Sequence, residues 1–191
     1  DEKRVMTSPM KGTRPRSNNN KKDNFLKKEL LKSIKDKAEL MMIVDLERND
    51  LGRVCSYNSI KVNSLRNLEK YKTVYQTTAT ISGKLHPTKN IMDLLKATFP
   101  GGSITGCPKI RAMQIIEELE PHRRGIYTGS LGYISFTGDM DLNILIRTIL
   151  KIKNQVYFQV GGGIVADSIA EKEYEETLVK AKAMKEALSY A

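Results

Sequence analysis

The chain has 191 residues, of which 40% are hydrophobic and 28% are charged, a composition typical of a globular domain with its own core. No run approaches the roughly 18 apolar residues of a membrane span, and the opening Asp1-Glu2-Lys3-Arg4 does not resemble a secretory signal. The net charge of +10 permits nucleic-acid binding. However, the basic stretch from Lys3 to Lys37 contains only Phe25 for base stacking, which favours a solvated lysine-rich helix face.

The two cysteines, Cys55 and Cys107, lie far apart and lack the spacing of a metal site. We expect free thiols in a reducing compartment. With the composition, this predicts a cytoplasmic protein that associates with neither membranes nor nucleic acids.

The first forty residues predict one helix after a basic, irregular start. Residues 1–22 carry loop-forming residues and no clear periodicity. Asp23 or Asn24 can cap a helix that continues to about Glu39. The apolar run 40–46 fits either a buried strand or a buried helix end, and periodicity does not decide between them.

The middle of the chain predicts two strands and two helices. A short strand is predicted at 59–63, and a longer one, rich in Thr, Val and Tyr, at 71–82. A short helix is predicted over 91–98, ended by Pro100, and an amphipathic helix over 108–119.

The last third predicts three strands and a closing helix. The strands are expected at 125–136, 141–151 and 155–165, and their short turns make neighbouring strands antiparallel. A helix is expected over 170–187, capped by Asp167 or Ser168. The predicted fold class is α+β, with mostly antiparallel sheets and helices packed outside.

A glycine-rich loop runs into a helix at Phe99–Met113. Pro108 suits the first position of that helix, and the free amides of such a helix start favour an anion. A simple turn explains the same glycines. The sequence therefore leaves an anion site and a plain turn as alternatives.

The final helix carries two carboxylates and an amine on one face: Glu173, Glu176 and Lys180. Such carboxylates can hold a hard cation such as Mg²⁺, but the same spacing is common on a solvated face. The glycine run 161–163 precedes this helix, and it fits either a bulge or a backbone that approaches a ligand.

Two basic residues stand in unusual contexts. Arg147 lies in the apolar run 143–149, where a charge should be paired or face a cleft, so it fits either a structural ion pair or a carboxylate ligand. Lys11 lies between Pro9-Met10 and Gly12 and fits an ordinary turn, although a buried lysine can act as a nucleophile.

Several segments, in order, resemble the chorismate-binding domain of the chorismate-utilising enzymes, and together they span nearly the whole chain. They are Ser8-Pro-Met-Lys-Gly-Thr-Arg-Pro-Arg16, Lys35-Asp-Lys-Ala-Glu39, Val44-Asp-Leu-Glu-Arg-Asn-Asp-Leu-Gly-Arg53, Phe99–Met113, Glu118-Leu-Glu-Pro121, Gly129-Ser-Leu-Gly-Tyr133, Ile146-Arg-Thr148, Gly161-Gly-Gly-Ile-Val-Ala-Asp-Ser168 and Glu173-Tyr-Glu-Glu-Thr177. The resemblance implies the fold of anthranilate synthase component I, present here in part.

Within this family the chain looks most like the aminodeoxychorismate synthase component I branch, because Lys11 stands where anthranilate synthases carry Ala. That branch implies magnesium-dependent, transaminase-type amination of chorismate to 4-amino-4-deoxychorismate, for 4-aminobenzoate and folate biosynthesis. Lys11 would be the nucleophile, and a glutamine amidotransferase partner would supply the ammonia. Anthranilate synthase component I, which makes anthranilate and pyruvate, is the alternative.

The resemblance also implies the other site residues. Glu39 and Glu176, with Glu173 close by, match the Mg²⁺ carboxylates, and the loop around Ser103 and Thr105 would line the site. The positions that match those holding the two carboxylates of chorismate are Gly12, Thr13, Tyr127, Arg147, Gly161, Gly162, Gly163 and Lys180.

Two departures from the family pattern stand out. Gln76 replaces a His that many members carry, and an amide cannot transfer a proton as an imidazole can. The family's upstream half, with its general-acid Glu, has no counterpart here. We therefore expect residues 1–191 to be the C-terminal segment of a single chorismate-binding domain, inactive when alone.

Overall fold

The computed structural model describes residues 3–189, and the chain divides into two compact units, the first ending at Lys109 and the second beginning at Ile110. The first unit is built on a four-stranded antiparallel sheet in which β4 pairs with each of the other three strands. One edge of β4 pairs with β1 and β2 in succession, and the other pairs with β3. The strands are β1 Arg4–Thr7, β2 Met10–Pro15, β3 Lys61–Lys70 and β4 Val74–Lys84.

The expectation of irregular structure before residue 22 is wrong, because β1 and β2 both lie there. These strands are short and carry several Lys and Arg residues, so their local pattern is weak. They are specified by the partner strand β4, which lies far along the chain.

Two helices replace the single predicted helix: α1 Asn20–Lys32 and α2 Ile34–Gly52. The break falls at Ser33, whose side chain caps α2 by accepting from the amide of Asp36 at 3.2 Å. The cap of α1 is Asn19, not Asp23 or Asn24. The apolar run 40–46 lies in the middle of α2, so the helix alternative holds.

Asp23 has a different role from the predicted cap. Its buried carboxylate accepts two hydrogen bonds from Arg16, at 2.9 and 3.0 Å, and one from the Tyr75 hydroxyl at 2.7 Å. These donors hold the pKa of Asp23 well below its usual range, with the Arg16 hydrogen bond the largest cause. The network ties α1 to β4 and to Arg16, which directly follows β2.

The core of the first unit lies between α2 and the sheet. Helix α3, Ile91–Thr98, packs on α2 and has the predicted bounds, since Asn90 and Asp93 form a reciprocal capping box at its start. The most deeply buried apolar side chains of this unit are Leu30, Leu40, Ile43, Val44, Leu51, Ala79 and Ile81.

The described part of the second unit contains two hairpins and two helices, the second of them long. The predicted turns are present, but the predicted middle strand is interrupted after Ile144, and Arg147 in the gap has a φ of +52°. The third predicted strand ends at Tyr157. The elements are α4 Lys109–Leu119, whose first residue belongs to the first unit, β5 Ser130–Ile134, β6 Met140–Ile144, β7 Leu150–Ile152, β8 Gln155–Tyr157 and α5 Ala170–Ser189.

The surface features follow the expectations from composition. Lysines of α1 such as Lys21, Lys22 and Lys28 are exposed, as expected for a solvated face. Cys55 is buried, Cys107 is exposed, and both are free thiols, as predicted. Among residues 3–189 no helix is apolar over enough of its length to cross a bilayer.

Candidate active site

Strand β2 places Lys11 against helix α2. The Nζ atom of Lys11 lies 3.6 Å from a carboxylate oxygen of Glu39, and the two side chains are 21% and 22% exposed. The backbone carbonyl of Lys11 accepts a hydrogen bond from the Thr77 hydroxyl of β4. Two residues that are far apart in sequence therefore form a half-buried ion pair whose lysine is anchored to the central strand.

Gly12 follows Lys11 at an irregularity in the β2–β4 register. Its φ is +78°, and an added Cβ would lie 2.9 Å from Leu30 Cδ1 and 3.0 Å from the Cβ of Asp36. This position needs glycine for two independent reasons, backbone conformation and lack of space.

We expect Gly12→Ala to lower the free energy of unfolding by about 2–4 kcal/mol, the sum of backbone strain and overpacking. Gly138→Ala is the matched control, because Gly138 has a φ of +90° with nothing within 4 Å of an added Cβ. The control should lose about 1–2 kcal/mol, from strain alone. Urea unfolding of both variants measures the difference, and equal losses would mean that α1 and α2 absorb the new methyl group without cost.

Thr13 lies opposite Gln76 in the β2–β4 pair. The amide nitrogen of Gln76 donates to the Thr13 hydroxyl at 3.4 Å. The amide that replaces the usual family His therefore lies beside one of the predicted substrate-binding residues.

In the second unit, the predicted face of α5 points at the glycine run. An added Cβ on Gly162 would lie 3.4 Å from Glu173, 3.9 Å from Glu176 and 3.8 Å from Lys180. The Lys180 amine donates to the Gly161 carbonyl at 3.0 Å and pairs with Glu176 at 2.6 Å. Backbone, carboxylates and amine thus form one polar cluster on this unit.

Tyr127 joins the same cluster through Gly161. Its hydroxyl oxygen would lie 2.8 Å from an added Cβ on Gly161, so the absence of a side chain there lets the two approach. Burial raises the pKa of Tyr127, and the phenol therefore stays protonated and able to donate at neutral pH.

Arg147 is placed differently from the prediction. It is exposed, it lies in the gap between β6 and β7 rather than in a strand, and neither a hydrogen bond nor an ion pair joins it to another residue in the range 3–189. The structural ion pair considered for Arg147 is therefore not formed by the described residues. Gly163 is also exposed, next to the cluster around Gly162.

The carboxylates of α5 suit a hard cation in their chemistry. One oxygen of Glu173 accepts a hydrogen bond from the Ser168 hydroxyl at 2.6 Å, while its other oxygen faces Gly162 alongside Glu176. Carboxylate oxygens such as these two are the ligands that Mg²⁺ prefers. No group of three or more His, Cys, Asp or Glu side chains converges anywhere in residues 3–189, and Glu39 belongs to the other unit, so the metal stays a prediction.

Sequence reasoning missed a polar network in the first unit. Lys109 Nζ lies 2.5 Å from the buried carboxylate of Asp50, and the Thr7 hydroxyl donates to Glu47 at 2.8 Å. Burial raises the pKa of Glu47 to about 7. One signal was available: Asp50 has the same helical phase as the buried residues Ile43 and Leu46, so a charge on that face required a partner.

Residues 1–186 match the family of chorismate binding enzymes. Anthranilate synthase component 1 of Aquifex aeolicus is 48% identical over 191 residues, which are 100% of this chain and 39% of that protein. Aminodeoxychorismate synthase component 1 of Salmonella typhimurium is 51% identical over 176 residues, which are 92% of this chain and 39% of that protein. The chain therefore spans about two fifths of the length of these curated relatives.

Solved structures agree on the fold. Anthranilate synthase component I from Streptococcus pneumoniae superposes with a TM-score of 0.85 at 44% identity, covering 96% of this chain and 40% of that one. The menaquinone-specific isochorismate synthase from Escherichia coli has the same fold at 24% identity, with a TM-score of 0.85 over 96% of this chain and 42% of that one. The predicted α+β fold is confirmed, and the chain belongs to the chorismate binding enzyme family.

Proposed function

We propose that the full-length protein containing this chain aminates chorismate to 4-amino-4-deoxychorismate. The observation that carries the proposal is the placement of Lys11, whose amine is half-buried and held 3.6 Å from Glu39. A lysine attacks only after it has lost a proton, and the Glu39 carboxylate beside Lys11 can accept that proton. Lys11 also stands where the anthranilate branch of the family carries Ala.

In this mechanism Glu39 orients the Lys11 amine. The deprotonated nitrogen forms a bond to C2 of the chorismate ring and gives up a proton, while the ring double bonds shift. The C4 hydroxyl takes up a proton and leaves as water with the electron pair of its C–O bond. Ammonia then bonds to C4, the double bonds shift back, and the Lys11 nitrogen leaves C2 and takes up a proton. The lysine is therefore regenerated, and the pyruvyl group stays on the product.

The cluster on the second unit supplies charge and donors for a dianionic substrate. Lys180 provides an ammonium group, and Tyr127 provides a phenol that remains protonated. The run Gly161–Gly163 provides a backbone that a ligand can approach closely. Arg147 is exposed and has a planar fork that suits a carboxylate. These groups bind and orient the two carboxylates of chorismate.

Glu173 and Glu176 of the second unit are the residues that would hold Mg²⁺. When bound, the ion neutralises negative charge on a substrate carboxylate. Since Lys180 already pairs with Glu176 at 2.6 Å, this lysine balances the carboxylate charge in the absence of a cation.

We expect Glu176→Ala to weaken chorismate binding only when Mg²⁺ is present. Titration calorimetry of the full-length protein, with and without the ion, measures this. Glu186→Ala is the matched control, because Glu186 lies on the same helix in an exposed pair with Lys182 at 3.7 Å. If wild-type affinity for chorismate is the same with and without Mg²⁺, the metal assignment is wrong.

Formation of anthranilate is the second candidate, because anthranilate synthases and aminodeoxychorismate synthases are about equally similar to this chain. The position of Gln76 argues against it. Its amide donates a hydrogen bond to Thr13. An amide cannot transfer a proton, and the elimination of pyruvate requires such a transfer.

Product identity separates the two candidates. The full reading frame that contains this chain is supplied with chorismate, ammonium and Mg²⁺, and products are followed by chromatography with mass detection. Amination predicts aminodeoxychorismate that retains its pyruvyl group. Anthranilate with free pyruvate would overturn the proposal and leave only the family assignment.

We further propose a glutamine amidotransferase subunit as the ammonia source, since relatives are named as component 1 enzymes. With that subunit added, glutamine should replace ammonium as nitrogen donor. If only ammonium supports product formation, the partner assignment fails while the amination itself stands.

A further inference from the structure

Helix α2 and Arg53, the residue that follows it, contact the glycine-rich loop Phe99–Pro108 and its flanks. The Arg53 guanidinium donates to the carbonyl of Ala97, just before the loop. Within the loop, Gly102 is buried, and an added Cβ there would lie 2.5 Å from Leu46 Cδ2. The loop therefore lies in direct van der Waals contact with α2.

The end of the loop is held by a buried ion pair. Lys109 Nζ lies 2.5 Å from Asp50 Oδ2, and the two side chains are 14% and 5% exposed. Arg53 approaches the other oxygen of Asp50 at 3.3 Å, so this carboxylate joins both flanks of the loop. Removal of one partner from such a pair leaves an uncompensated buried charge, which makes the contact sensitive to substitution.

The loop itself has donors to offer. The Ser103 hydroxyl and the amides of Gly106 and Cys107 make no hydrogen bond to any residue in the range 3–189. The Thr105 hydroxyl, by contrast, closes the loop internally by donating to the Gly101 carbonyl at 2.9 Å. A loop of fixed shape with open donors is suited to meet an anion.

We propose that Asp50 and Lys109 are positioning residues that fix the loop Phe99–Pro108 in the shape in which its open donors meet the anionic substrate. Neither residue touches the substrate in this proposal. The identity of that substrate rests on the proposed function, whereas the restraint of the loop by the ion pair does not.

The first readout is amide hydrogen exchange of the loop in the substrate-free, full-length protein. Lys109→Met should speed exchange of the hydrogen-bonded loop amides of Ile104 and Thr105 by about tenfold or more. Lys109→Arg, which keeps the pair, should restore slow exchange. The matched control is Arg48→Met, which breaks the exposed pair with Asp45 on the same helix and should leave the loop unchanged. Where Lys109→Met does not fold, Asp50→Asn combined with Lys109→Met removes both charges and gives the same readout.

The second readout is steady-state kinetics with chorismate. If the loop binds substrate and transition state equally well, Lys109→Met should raise the KM for chorismate about tenfold and leave kcat almost unchanged, because this uniform binding is lost. A purely structural role predicts the opposite split, a lower kcat from loss of folded enzyme at unchanged KM.

Each outcome decides a separate point. Unchanged loop exchange in Lys109→Met overturns the proposal, and so does faster exchange with an unchanged KM. Faster exchange with a raised KM, both reversed in Lys109→Arg, supports it. A wild-type protein that does not convert chorismate contradicts the proposed function and the substrate part of this inference, while the exchange data still decide whether the pair restrains the loop.

Discussion

Lys11→Ala is expected to lower the rate of chorismate amination by about 10⁴-fold or more, since loss of a covalent nucleophile removes the reaction path itself. The half-buried position of Lys11 against Glu39 leaves no neighbouring amine on β2 to replace it. Single-turnover amination with saturating ammonium measures the effect separately from ammonia supply. The KM for chorismate should change much less than kcat.

The matched control for this variant is Lys35→Ala. Lys35 also approaches Glu39, at 3.9 Å, but its side chain is 67% exposed. This control removes a similar charge next to the same carboxylate and should leave kcat within about twofold of wild type. If Lys11→Ala retains near-normal amination, the nucleophile assignment is wrong, and ammonia must add to the ring directly.

The second large effect concerns stability and pH. Burial raises the pKa of Glu47 from 4.5 to about 7, and the charge of Asp50 adds to this, while the Thr7 hydrogen bond and the charge of Lys109 oppose it. Between these two values the folded protein holds a proton that the unfolded chain has lost. The free energy of unfolding therefore falls as pH rises through this window, by at most about 3 kcal/mol from this group. Above the folded pKa the loss is complete, and below 4.5 it is absent.

We expect Glu47→Gln to flatten this part of the pH profile and to be more stable than wild type at pH 8. The glutamine carbonyl can still accept the Thr7 hydrogen bond, and position 47 no longer holds an ionisable group. Asp45→Asn on the exposed side of α2 is the matched control and should keep the wild-type profile. Chemical unfolding at several pH values provides the comparison, and parallel profiles for Glu47→Gln and wild type would refute the raised pKa.

The parts of the fold that the sequence predicted are those with local signals. Helix α3 has its capping box and a following proline, and the hairpin turns at 137–139 and 153–154 carry their own turn residues. The failures depend on distant partners. Strand β2 carries Lys11, Gly12 and Arg14 with little β character, and it forms because β4 offers an open edge.

The same distinction applies to the site. The shared helical face of Glu173, Glu176 and Lys180 follows from spacing along one helix. The Lys11–Glu39 pair depends on the packing of α2 against β2, which no local pattern encodes. The resemblance to a family indicated both residues, but their contact required the structure. Likewise, the interruption at Arg147 arises from a positive φ in a stretch whose composition predicts a strand.

The arrangement around β4 has a consequence for the order of assembly. Strands β3 and β4 are joined by a short connection, so their hairpin closes a small loop at low entropic cost. Strand β2 must find the same β4 across a long intervening stretch, and such distant pairings form late on average. We therefore expect the proposed nucleophile, Lys11, to reach its position only after the β3–β4 hairpin has formed.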